Sequence, residues 1–334
     1  MADHRFHAIY VEEDALTWPL TRQILNRHPG CPVINIRHYK DVFNRPRQHQ
    51  ELQKHHQALI LAVKREPLLY EGADPCHRLG ADHLVYASLA LNCPFSCDYC
   101  FLRGMYPSAH LVAFVNLDQV AQAFTCLDES SDLEKSSTLL ALSYETDLIA
   151  LHRDLPYLEW LYDNLAALQH LKVEVRTKSA DPLVYESLQP LDHLTIGFSV
   201  LPDSVRQCCE RRTPPLAARL KAIDSALEHG FTVRLCFDPV MLLPFASDPY
   251  EPFFRCLLER YSSRIVDVSY GFFRMPRTYF DRIARKALDS PVFAGPFEKN
   301  QSTTTYPHDL RDIIQERHLT IHRDYLDESR IHVI

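Results

Sequence analysis

The stretch CPFSCDYCF at residues 93–101 carries three cysteines, Cys93, Cys97 and Cys100, at spacings of four and three. It directly follows the apolar run YASLAL at residues 86–91, which predicts a buried strand. A strand that runs into a tight loop would aim the three thiols at one point. Thiolates are soft ligands, and three that converge suit an iron–sulfur cluster or zinc. Because a structural zinc site is closed by four ligands, a set of three is typical of a reactive centre with an open position.

The spacing Cys-x3-Cys-x2-Cys, with the aromatic Tyr99 just before the last cysteine, resembles the signature of the radical S-adenosylmethionine (SAM) superfamily. This resemblance implies that Cys93, Cys97 and Cys100 hold three irons of a 4Fe–4S cluster, whose fourth iron is chelated by SAM. It also implies that the reduced cluster splits SAM into methionine and a 5′-deoxyadenosyl radical, which takes a hydrogen atom from a substrate. Two alternatives stay open, namely a zinc site with Cys76 or a histidine as fourth ligand, and ordinary buried thiols.

The composition is that of a globular protein, with 334 residues, 46% hydrophobic residues and 24% charged residues. This length allows one large domain and a small one. We expect no signal peptide and no membrane span, because the N-terminus is charged and every apolar run is short. Ten cysteines without a secretory signal predict a cytoplasmic protein, a compartment that suits an oxygen-sensitive cluster. The net charge of −7 argues against a general nucleic-acid binder, although a local basic face stays possible.

The first part of the chain predicts a small N-terminal α/β domain over residues 1–80. Its strands are expected at residues 6–11, 31–36 and 58–64. A helix between the first two is expected to begin with Thr17 as N-cap and Pro19 in its first turn. The charged run at residues 45–56, which contains three histidines, is interpreted as a solvated helix face rather than a metal site.

From residue 86 onwards, apolar strand patterns alternate with helical patterns. The predicted strands are 86–91, 138–144, 172–178, 194–200, 232–238 and 265–272, and the predicted helices are 118–127, 155–169, 182–188, 215–229 and 250–263. Such alternation implies parallel strands with right-handed crossovers. Six units are too few for a closed eight-stranded barrel, so the predicted fold is α/β, an open partial (β/α)6 barrel of radical SAM type over residues 81–290. Residues 291–334 are expected to form a C-terminal segment that covers the barrel mouth.

The chain also resembles the spore photoproduct lyase family over most of its length. The segments that carry this resemblance are IYVE at 9–12, WPL at 18–20, FVNL at 114–117, TK at 177–178, FS at 198–199 and DPV at 238–240. The resemblance implies that Lys178 and Ser199 hold the SAM carboxylate, that Thr146 helps to bind its polar end, and that the backbone around Tyr99 approaches the adenine. A lysine at a strand end and two hydroxyl groups suit such a ligand. Their alternative roles are a solvated charge for Lys178 and local backbone hydrogen bonds for Ser199 and Thr146.

One departure from the family concerns hydrogen-atom transfer. The family has a cysteine at the end of the second barrel strand, which returns a hydrogen atom to the repaired thymine radical, and Tyr144 falls on that position here. One of the family's paired tyrosines around the last cluster cysteine is kept as Tyr99, whereas the other is Phe101. Tyr144 and Tyr99 are therefore the candidate catalytic residues, and the alternative for Tyr144 is an aromatic residue of the core or pocket.

A second departure is a shortage of positive charge in the C-terminal segment. The family has a basic stretch there that grips the lesion and its phosphate, whereas residues 295–308 contain a single lysine. Basic residues do occur a little earlier, at Arg274, Arg277, Arg282, Arg285 and Lys286. They are interpreted as surface charges, with contact to a phosphate backbone as the alternative.

The sequence as a whole predicts a cytoplasmic radical SAM enzyme that resembles spore photoproduct lyase, with a thymine photoproduct or modified nucleotide in DNA as substrate. The alternatives are a divergent paralogue with a non-DNA substrate and a zinc-stabilised nucleic-acid-binding protein. The expected partners are SAM and a flavodoxin- or ferredoxin-like one-electron reductant, and no contact with a membrane is expected. Of the other cysteines, Cys126, Cys236 and Cys256 are expected in the core.

Overall fold

Strands alternate with helices along most of the chain in the computed structural model, which describes residues 5–72, 78–130, 136–244, 247–287 and 289–334. The strands are β1 (Ile9–Glu12), β2 (Val33–Ile36), β3 (Leu59–Ala62), β4 (Leu69–Glu71), β5 (His83–Ala87), β6 (Ala90–Leu91), β7 (Ser96–Cys97), β8 (Leu111–Phe114), β9 (Thr138–Ala141), β10 (Lys172–Thr177), β11 (Leu194–Ser199), β12 (Glu210–Arg211), β13 (Thr232–Val240), β14 (Asp267–Phe272), β15 (Arg274–Pro276), β16 (Glu298–Lys299), β17 (Thr303–Thr305) and β18 (Ile331–Val333). The helices are α1 (Pro19–Asn26), α2 (Lys40–Phe43), α3 (Gln50–His55), α4 (Leu102–Met105), α5 (Leu117–Asp128), α6 (Tyr157–Ala167), α7 (Leu183–Ser187), α8 (Asp203–Cys209), α9 (Leu216–Glu228), α10 (Tyr250–Tyr261), α11 (Arg277–Ala284) and α12 (His308–Arg323).

The chain divides into two compact units, which are described separately. Unit 1 comprises residues 1–94 and 106–177, and unit 2 comprises residues 95–105 and 178–334. Residues 95–105, which contain Cys97 and Cys100, therefore belong to unit 2, whereas the segments on both sides of them belong to unit 1. The division of the chain at residues 80 and 290 stays a prediction.

Unit 1 contains a five-stranded sheet with the order β2-β1-β3-β8-β6. Strands β1, β2, β3 and β8 are parallel, and β6 runs antiparallel to β8. Every side chain of β3 and β8 is buried, as in a parallel sheet that is covered on both faces. Seven buried apolar residues pack together here, namely Val42, Phe43, Ile60, Ala62, Leu91, Val112 and Phe114.

Unit 1 also contains β4, β5, β9 and β10. Strands β5, β9 and β10 pair in parallel in that order, and β4 pairs antiparallel with β5. The single strand predicted at residues 86–91 is wrong, because β5 ends at Ala87 and β6 pairs with β8 in the other sheet. Chain direction changes before the cluster loop at Asn92, which has a positive φ of 69°. Its side-chain amide donates to the carbonyls of Ser108 and His110, both at 2.8 Å, and this holds the reversal.

Unit 2 contains four parallel strands in the order β11-β13-β14-β18, together with a small antiparallel sheet of β15, β17 and β16. Helix α9 ends at Glu228, and Gly230 follows its C-cap His229 with a positive φ of 82°, the conformation for which glycine is favoured at C′. A bidentate ion pair between Arg234 on β13 and Asp267 on β14 is buried within these strands. This pairing lowers the pKa of Asp267 to about 2 even though burial alone raises it.

Three smaller expectations are wrong. Trp18, not Thr17, is the N-cap of α1, since Pro19 occupies the first helical turn and the residue before a proline is extended. Cys126 and Cys256 are exposed on their helices, whereas Cys236 is buried as expected.

Within the part of the chain that the structure describes, no helix has the length and apolar character needed to span a membrane.

Candidate active site

Cys97 is held within unit 2 by an antiparallel ribbon of two residues on each side, formed by β7 and β12. Cys97 lies opposite Glu210 and Ser96 lies opposite Arg211. The backbone amide of Asp98 donates to the carbonyl of Cys209 at 2.8 Å and extends the ribbon. Cys97 is buried and Cys100 is half-buried. The ribbon therefore fixes the backbone that carries Cys97 and leads to Cys100.

The carboxylate of Asp98 anchors the loop between these two cysteines. Asp98 is buried, and its oxygens accept hydrogen bonds from the Arg103 guanidinium and the Ser290 hydroxyl, both at 2.7 Å. A guanidinium nitrogen of Arg211 lies 3.5 Å from the same carboxylate. Because an unpaired buried carboxylate is costly, these partners keep Asp98 and the loop in one position.

Tyr99 belongs to a buried network of three side chains. Its hydroxyl donates to Glu210, and the other carboxylate oxygen of Glu210 accepts from Arg219. The Arg219 side chain is 1% exposed and also donates to the backbone carbonyl of Ser199 at 3.0 Å. Burial, and then the charge of Glu210, raise the pKa of Tyr99 well above its ordinary value. Tyr99 is therefore a neutral phenol, and Arg219 connects it to the end of β11.

Lys178 lies next to the same network. Its ammonium nitrogen is 5.7 Å from the centroid of the Tyr99 ring. Burial lowers the pKa of Lys178, but the neighbouring Cys97 and Glu210 outweigh burial, so the net effect is a raised pKa. The lysine therefore stays charged at neutral pH. The structure thus brings Tyr99, Lys178 and Cys97 together in unit 2, with the backbone of Ser199 linked to them through Arg219.

In unit 1, Cys93 is half-buried and its carbonyl accepts a hydrogen bond from the Lys54 ammonium. Lys54 belongs to α3, whose Gln50 donates to the carbonyl of Tyr106 at 2.5 Å and whose Gln53 accepts from the amide of Ala109 at 2.8 Å. Residues 45–56, which were predicted to form a solvated helix face, therefore contain the short helix α3, and this helix has a structural role. Its polar side chains hold the two chain segments that flank the cluster loop.

Thr146 follows β9 in unit 1 and presents a hydroxyl oxygen that is buried without a hydrogen-bond partner. The next residue, Asp147, accepts from the Thr177 hydroxyl at 2.8 Å and from the amide of Ala150 at 2.9 Å. These bonds fix the turn that carries Thr146. Since a buried hydroxyl ordinarily has a partner, the Thr146 oxygen is suited to a ligand.

Glu145 is a buried carboxylate in the same turn, and sequence reasoning missed it. One of its oxygens accepts from the Ser88 hydroxyl and the other from the Tyr106 hydroxyl. Burial and the charge of Glu145 raise the pKa of Tyr106. The network ties the end of β5 to the turn after β9.

Tyr144 is half-buried and its ring stacks on that of Tyr86, with a centroid distance of 4.2 Å and an interplanar angle of 25°. Tyr86 stacks in turn on Tyr70, with a centroid distance of 5.2 Å and an angle of 17°. Tyr144 is therefore part of a row of three phenols rather than an isolated aromatic side chain.

The described residues contain no group of three or more His, Cys, Asp or Glu side chains arranged to hold a metal ion. The assignment of Cys93, Cys97 and Cys100 as cluster ligands therefore stays a prediction that rests on their spacing. Cys76, the cysteine considered as a fourth zinc ligand, lies outside the described residues.

Two of the basic residues that precede the C-terminal segment donate to backbone carbonyls, and a third forms an ion pair within its own helix. Arg274 donates to the carbonyls of Phe272 and Ile334, both at 3.2 Å, and Arg282 donates to the carbonyl of Gly104. Arg277 lies 3.9 Å from the carboxylate of Asp281. Arg274 and Arg282 thus help to stabilise unit 2, and the interpretation of the five basic residues as surface charges stays a prediction.

Glu210, Arg219, Asp98 and Lys54 are site residues that the sequence pattern did not single out. Arg219 could have been identified from the sequence, since it is a charged residue on the apolar face of a predicted helix, where it is buried. Glu210 accepts from Tyr99 across 111 residues of sequence and Asp98 accepts from Ser290 across 192, so no local pattern reveals these two contacts.

Comparison with known proteins gives a consistent result. The family model for spore photoproduct lyase matches residues 5–291. The spore photoproduct lyase of Clostridium acetobutylicum is 24% identical over 281 residues, which cover 81% of this chain and 78% of that protein.

Three solved structures have the same fold over 98% of both chains at 15% identity. They are a cysteine-to-serine mutant of spore photoproduct lyase, with a TM-score of 0.79, a double mutant with bound AdoMet and dinucleoside spore photoproduct, with a TM-score of 0.78, and spore photoproduct lyase complexed with dinucleoside spore photoproduct, with a TM-score of 0.79. The predicted α/β partial-barrel fold is confirmed by this likeness. Because the family model covers most of the chain and includes the three cysteines, the chain belongs to the spore photoproduct lyase family of radical SAM enzymes.

Proposed function

We propose that the protein is a radical SAM enzyme in which Cys93, Cys97 and Cys100 hold a 4Fe–4S cluster and SAM binds beside it. The observation that carries this proposal is the family match over residues 5–291, which includes the Cys-x3-Cys-x2-Cys motif. The double-mutant structure of spore photoproduct lyase described above has AdoMet bound, and its fold is the fold of this chain.

The residues present fit both groups chemically. Cysteine thiolates are the ligands that iron–sulfur clusters prefer, and the charged Lys178 lies next to Cys97 and Cys100. The buried Thr146 hydroxyl lacks a partner within the described residues, and a polar ligand atom would satisfy it. The cluster and SAM, when bound, supply a one-electron reduction and a carbon-centred radical.

The chain's own residues have four tasks in this proposal. Lys178 and Ser199 would bind the carboxylate of SAM, Lys178 by a charge-assisted hydrogen bond, and the Thr146 hydroxyl would help to bind its polar end. Glu210 and Arg219 fix Tyr99, whose backbone would approach the adenine of SAM. Tyr144 gives a hydrogen atom to the substrate radical, in the place where the family has a cysteine.

For the substrate we propose a thymine photoproduct or another modified nucleotide of DNA. Two of the solved structures above contain dinucleoside spore photoproduct, and this supports the choice. We propose a flavodoxin- or ferredoxin-like protein as electron donor and the cytoplasm as location, since an oxygen-sensitive cluster needs a reducing compartment.

A second candidate is the same radical chemistry on a substrate other than DNA. Tyr144 replaces the thiol that the lyase family uses, and residues 295–308 contain a single lysine. Arg274 and Arg282 donate to backbone carbonyls, so two of the remaining basic side chains have internal tasks. These departures favour a divergent paralogue.

The ligand assignment is tested by replacing each of the three cysteines with alanine and reconstituting the protein anaerobically with iron and sulfide. Each variant is expected to lose the cluster absorbance and most of its bound iron and labile sulfide. Cys126→Ala is the matched control, because Cys126 is exposed on α5, and it is expected to keep a full cluster. A normal cluster in any of the three variants would overturn the assignment, and stoichiometric zinc without iron would favour a zinc-stabilised nucleic-acid-binding protein.

A further inference from the structure

Tyr70, Tyr86 and Tyr144 form a row of stacked phenol rings in unit 1, and the distance between neighbouring rings differs along the row. Tyr70 and Tyr86 are directly opposite each other on the antiparallel strands β4 and β5, and Tyr144 lies on the far side of Tyr86. All three side chains are half-buried. The tightest contact is between Tyr144 and Tyr86, with a centroid distance of 4.2 Å against 5.2 Å for the next pair.

The Tyr70 end of the row lies next to a positive charge. The ammonium of Lys64 donates to the Tyr70 hydroxyl at 2.5 Å and lies 4.8 Å from the centroid of the Tyr70 ring. A nearby cation makes removal of an electron from a ring unfavourable, because it repels the positive charge that oxidation creates. Lys64 therefore makes Tyr70 harder to oxidise, and Tyr144 lies at the other end of the row.

Ring stacking stabilises an electron-poor aromatic ring against an electron-rich one. If Tyr144 loses a hydrogen atom, its phenoxyl ring becomes electron-poor and the neutral Tyr86 ring beside it is electron-rich. The contact that the structure shows between Tyr144 and Tyr86 is thus strengthened in the radical state. The Lys64 charge at Tyr70 blocks further movement of the radical along the row.

We propose that Tyr86 is a positioning residue that stabilises a radical on Tyr144, and that Lys64 confines the radical to this end of the row. This inference rests on the proposed function for its biological role. Tyr144 gives its hydroxyl hydrogen atom to a carbon-centred substrate radical, so a C–H bond forms, the Tyr144 O–H bond breaks, and a Tyr144 phenoxyl radical remains. One electron from the flavodoxin- or ferredoxin-like donor and one proton from solvent then restore the phenol.

The test uses the full chain without cluster, SAM or substrate, so that it is independent of the proposed function. A ruthenium photosensitiser with an electron-accepting quencher oxidises tyrosines after a laser flash, and the phenoxyl signal is followed by absorbance and electron paramagnetic resonance. The part of the signal that disappears in Tyr144→Phe is the Tyr144 radical. In Tyr86→Leu its lifetime is expected to fall about fivefold, the effect of losing one stacked aromatic pair.

Two further variants separate stabilisation from general damage. Tyr86→Phe keeps the ring and is expected to restore most of the lifetime. Tyr70→Leu removes the same side-chain volume from the same row and is expected to leave the lifetime unchanged. A Tyr86→Leu protein with the wild-type lifetime would overturn the proposal, and so would a Tyr70→Leu protein that loses as much lifetime as Tyr86→Leu.

Lys64→Met tests the confinement separately. The radical is expected to escape to Tyr70 in this variant and to lose lifetime, and Lys64→Met combined with Tyr70→Phe is expected to recover it. A Lys64→Met protein with an unchanged signal would overturn the role of Lys64. Absence of 5′-deoxyadenosine in the loaded protein would overturn the proposed function alone, because the flash experiment needs neither cluster nor SAM.

Discussion

Lys178 keeps a positive charge next to two cysteines although burial opposes that charge. Cys97 and Glu210 outweigh the burial and raise the pKa of Lys178. A charged donor at the end of β10 is what recognition of a carboxylate requires. We therefore expect Lys178 to contribute more to SAM binding than the hydroxyl groups of Ser199 and Thr146.

We expect Lys178→Met to weaken SAM binding about tenfold to a hundredfold, the loss of one hydrogen bond to a charged group. The measurement is the dissociation constant of SAM for the anaerobically reconstituted protein, by equilibrium dialysis. Lys172→Met is the matched control, because Lys172 is the exposed first residue of the same strand. Equal affinity of the Lys178→Met and Lys172→Met proteins would contradict the proposed carboxylate contact.

At this scale the sequence predicted the residues that a motif or a family landmark marks. Tyr99 and Lys178 were predicted site residues, and the structure places them together. Glu210 was not predicted, since it meets Tyr99 across 111 residues of sequence. Such a contact depends on the pairing of β7 with β12, and each of those strands is two residues long.

Among the elements, α4 directly follows the cluster loop and packs closely on α11. A Cβ atom at Gly104 would lie 2.5 Å from Cβ, 2.8 Å from Cα and 2.9 Å from the carbonyl oxygen of Tyr279. Two of these atoms belong to the backbone of α11, which cannot move away by a rotamer change. Only glycine therefore allows the two helices to approach this closely.

We expect Gly104→Ala to destabilise the protein by about 1–3 kcal/mol, the usual cost of overpacking. The thermal unfolding midpoint of the cluster-free protein measures this loss. Gly295→Ala is the control, because its Cβ would meet only side-chain atoms at 3.4 Å or more and no positive φ is involved. A Gly104→Ala protein as stable as Gly295→Ala would show that the close helix contact does not occur.

Helix α12 buries two histidines, His318 and His322, against aromatic side chains of unit 2. Burial lowers the pKa of His322 to about 4, so the folded protein holds this side chain neutral. The unfolded chain binds a proton at His322 below pH 6.5 or so, whereas the folded chain does not until about pH 4. Stability therefore falls as the pH decreases through this window and is fully present above it.

We expect His322 to cost about 2 kcal/mol of stability when the pH falls from 7 to 5. His110 adds an effect of the same sign, because burial also lowers its pKa to about 4. His322→Phe is expected to reduce the acid-induced decrease in unfolding free energy by about half, as measured by urea unfolding at both pH values. An undiminished acid effect in His322→Phe would contradict the neutral buried state of His322.

Element prediction worked where the apolar pattern was strong and failed where it was not. Strand β9 was predicted at 138–144 and ends at Ala141, and α9 was predicted at 215–229 and spans Leu216–Glu228. Helix α12 was not predicted, because its sequence is mostly polar and only part of one face is buried. The apolar run at residues 86–91 was assigned to one strand, since the break at residues 88–89 and the change of sheet leave no mark in hydropathy.

On the scale of the whole molecule, the order of strands and helices along the chain was enough to predict the fold class. Alternation requires parallel strands, and the pairings of β5, β9 and β10 and of β11, β13 and β14 are parallel. The position of β8 was not predictable from alternation, because it pairs with β3 in the five-stranded sheet. The parallel addition of β18 to β14 brings the end of the described chain into unit 2, and its three residues were too few to predict.

The substrate is inferred from the side chains of the site, because the family assignment alone does not identify it. In the proposed function the radical-generating residues follow the family, whereas Tyr144, Phe101 and the low charge of residues 295–308 depart from the resemblance. A phenol with a stacked partner can replace a thiol as hydrogen donor without any change in the radical-generating step. One assay can therefore distinguish the generation of the radical from the reaction on the substrate.

The most direct test of the central claim is the formation of 5′-deoxyadenosine from SAM by the anaerobically reconstituted protein with dithionite, with and without a spore-photoproduct dinucleotide. The account predicts 5′-deoxyadenosine in both cases. Repair of the dinucleotide to two thymines would support the lyase reaction, and formation of 5′-deoxyadenosine without repair would support the divergent paralogue. No 5′-deoxyadenosine from protein that carries a full cluster would contradict the radical SAM account.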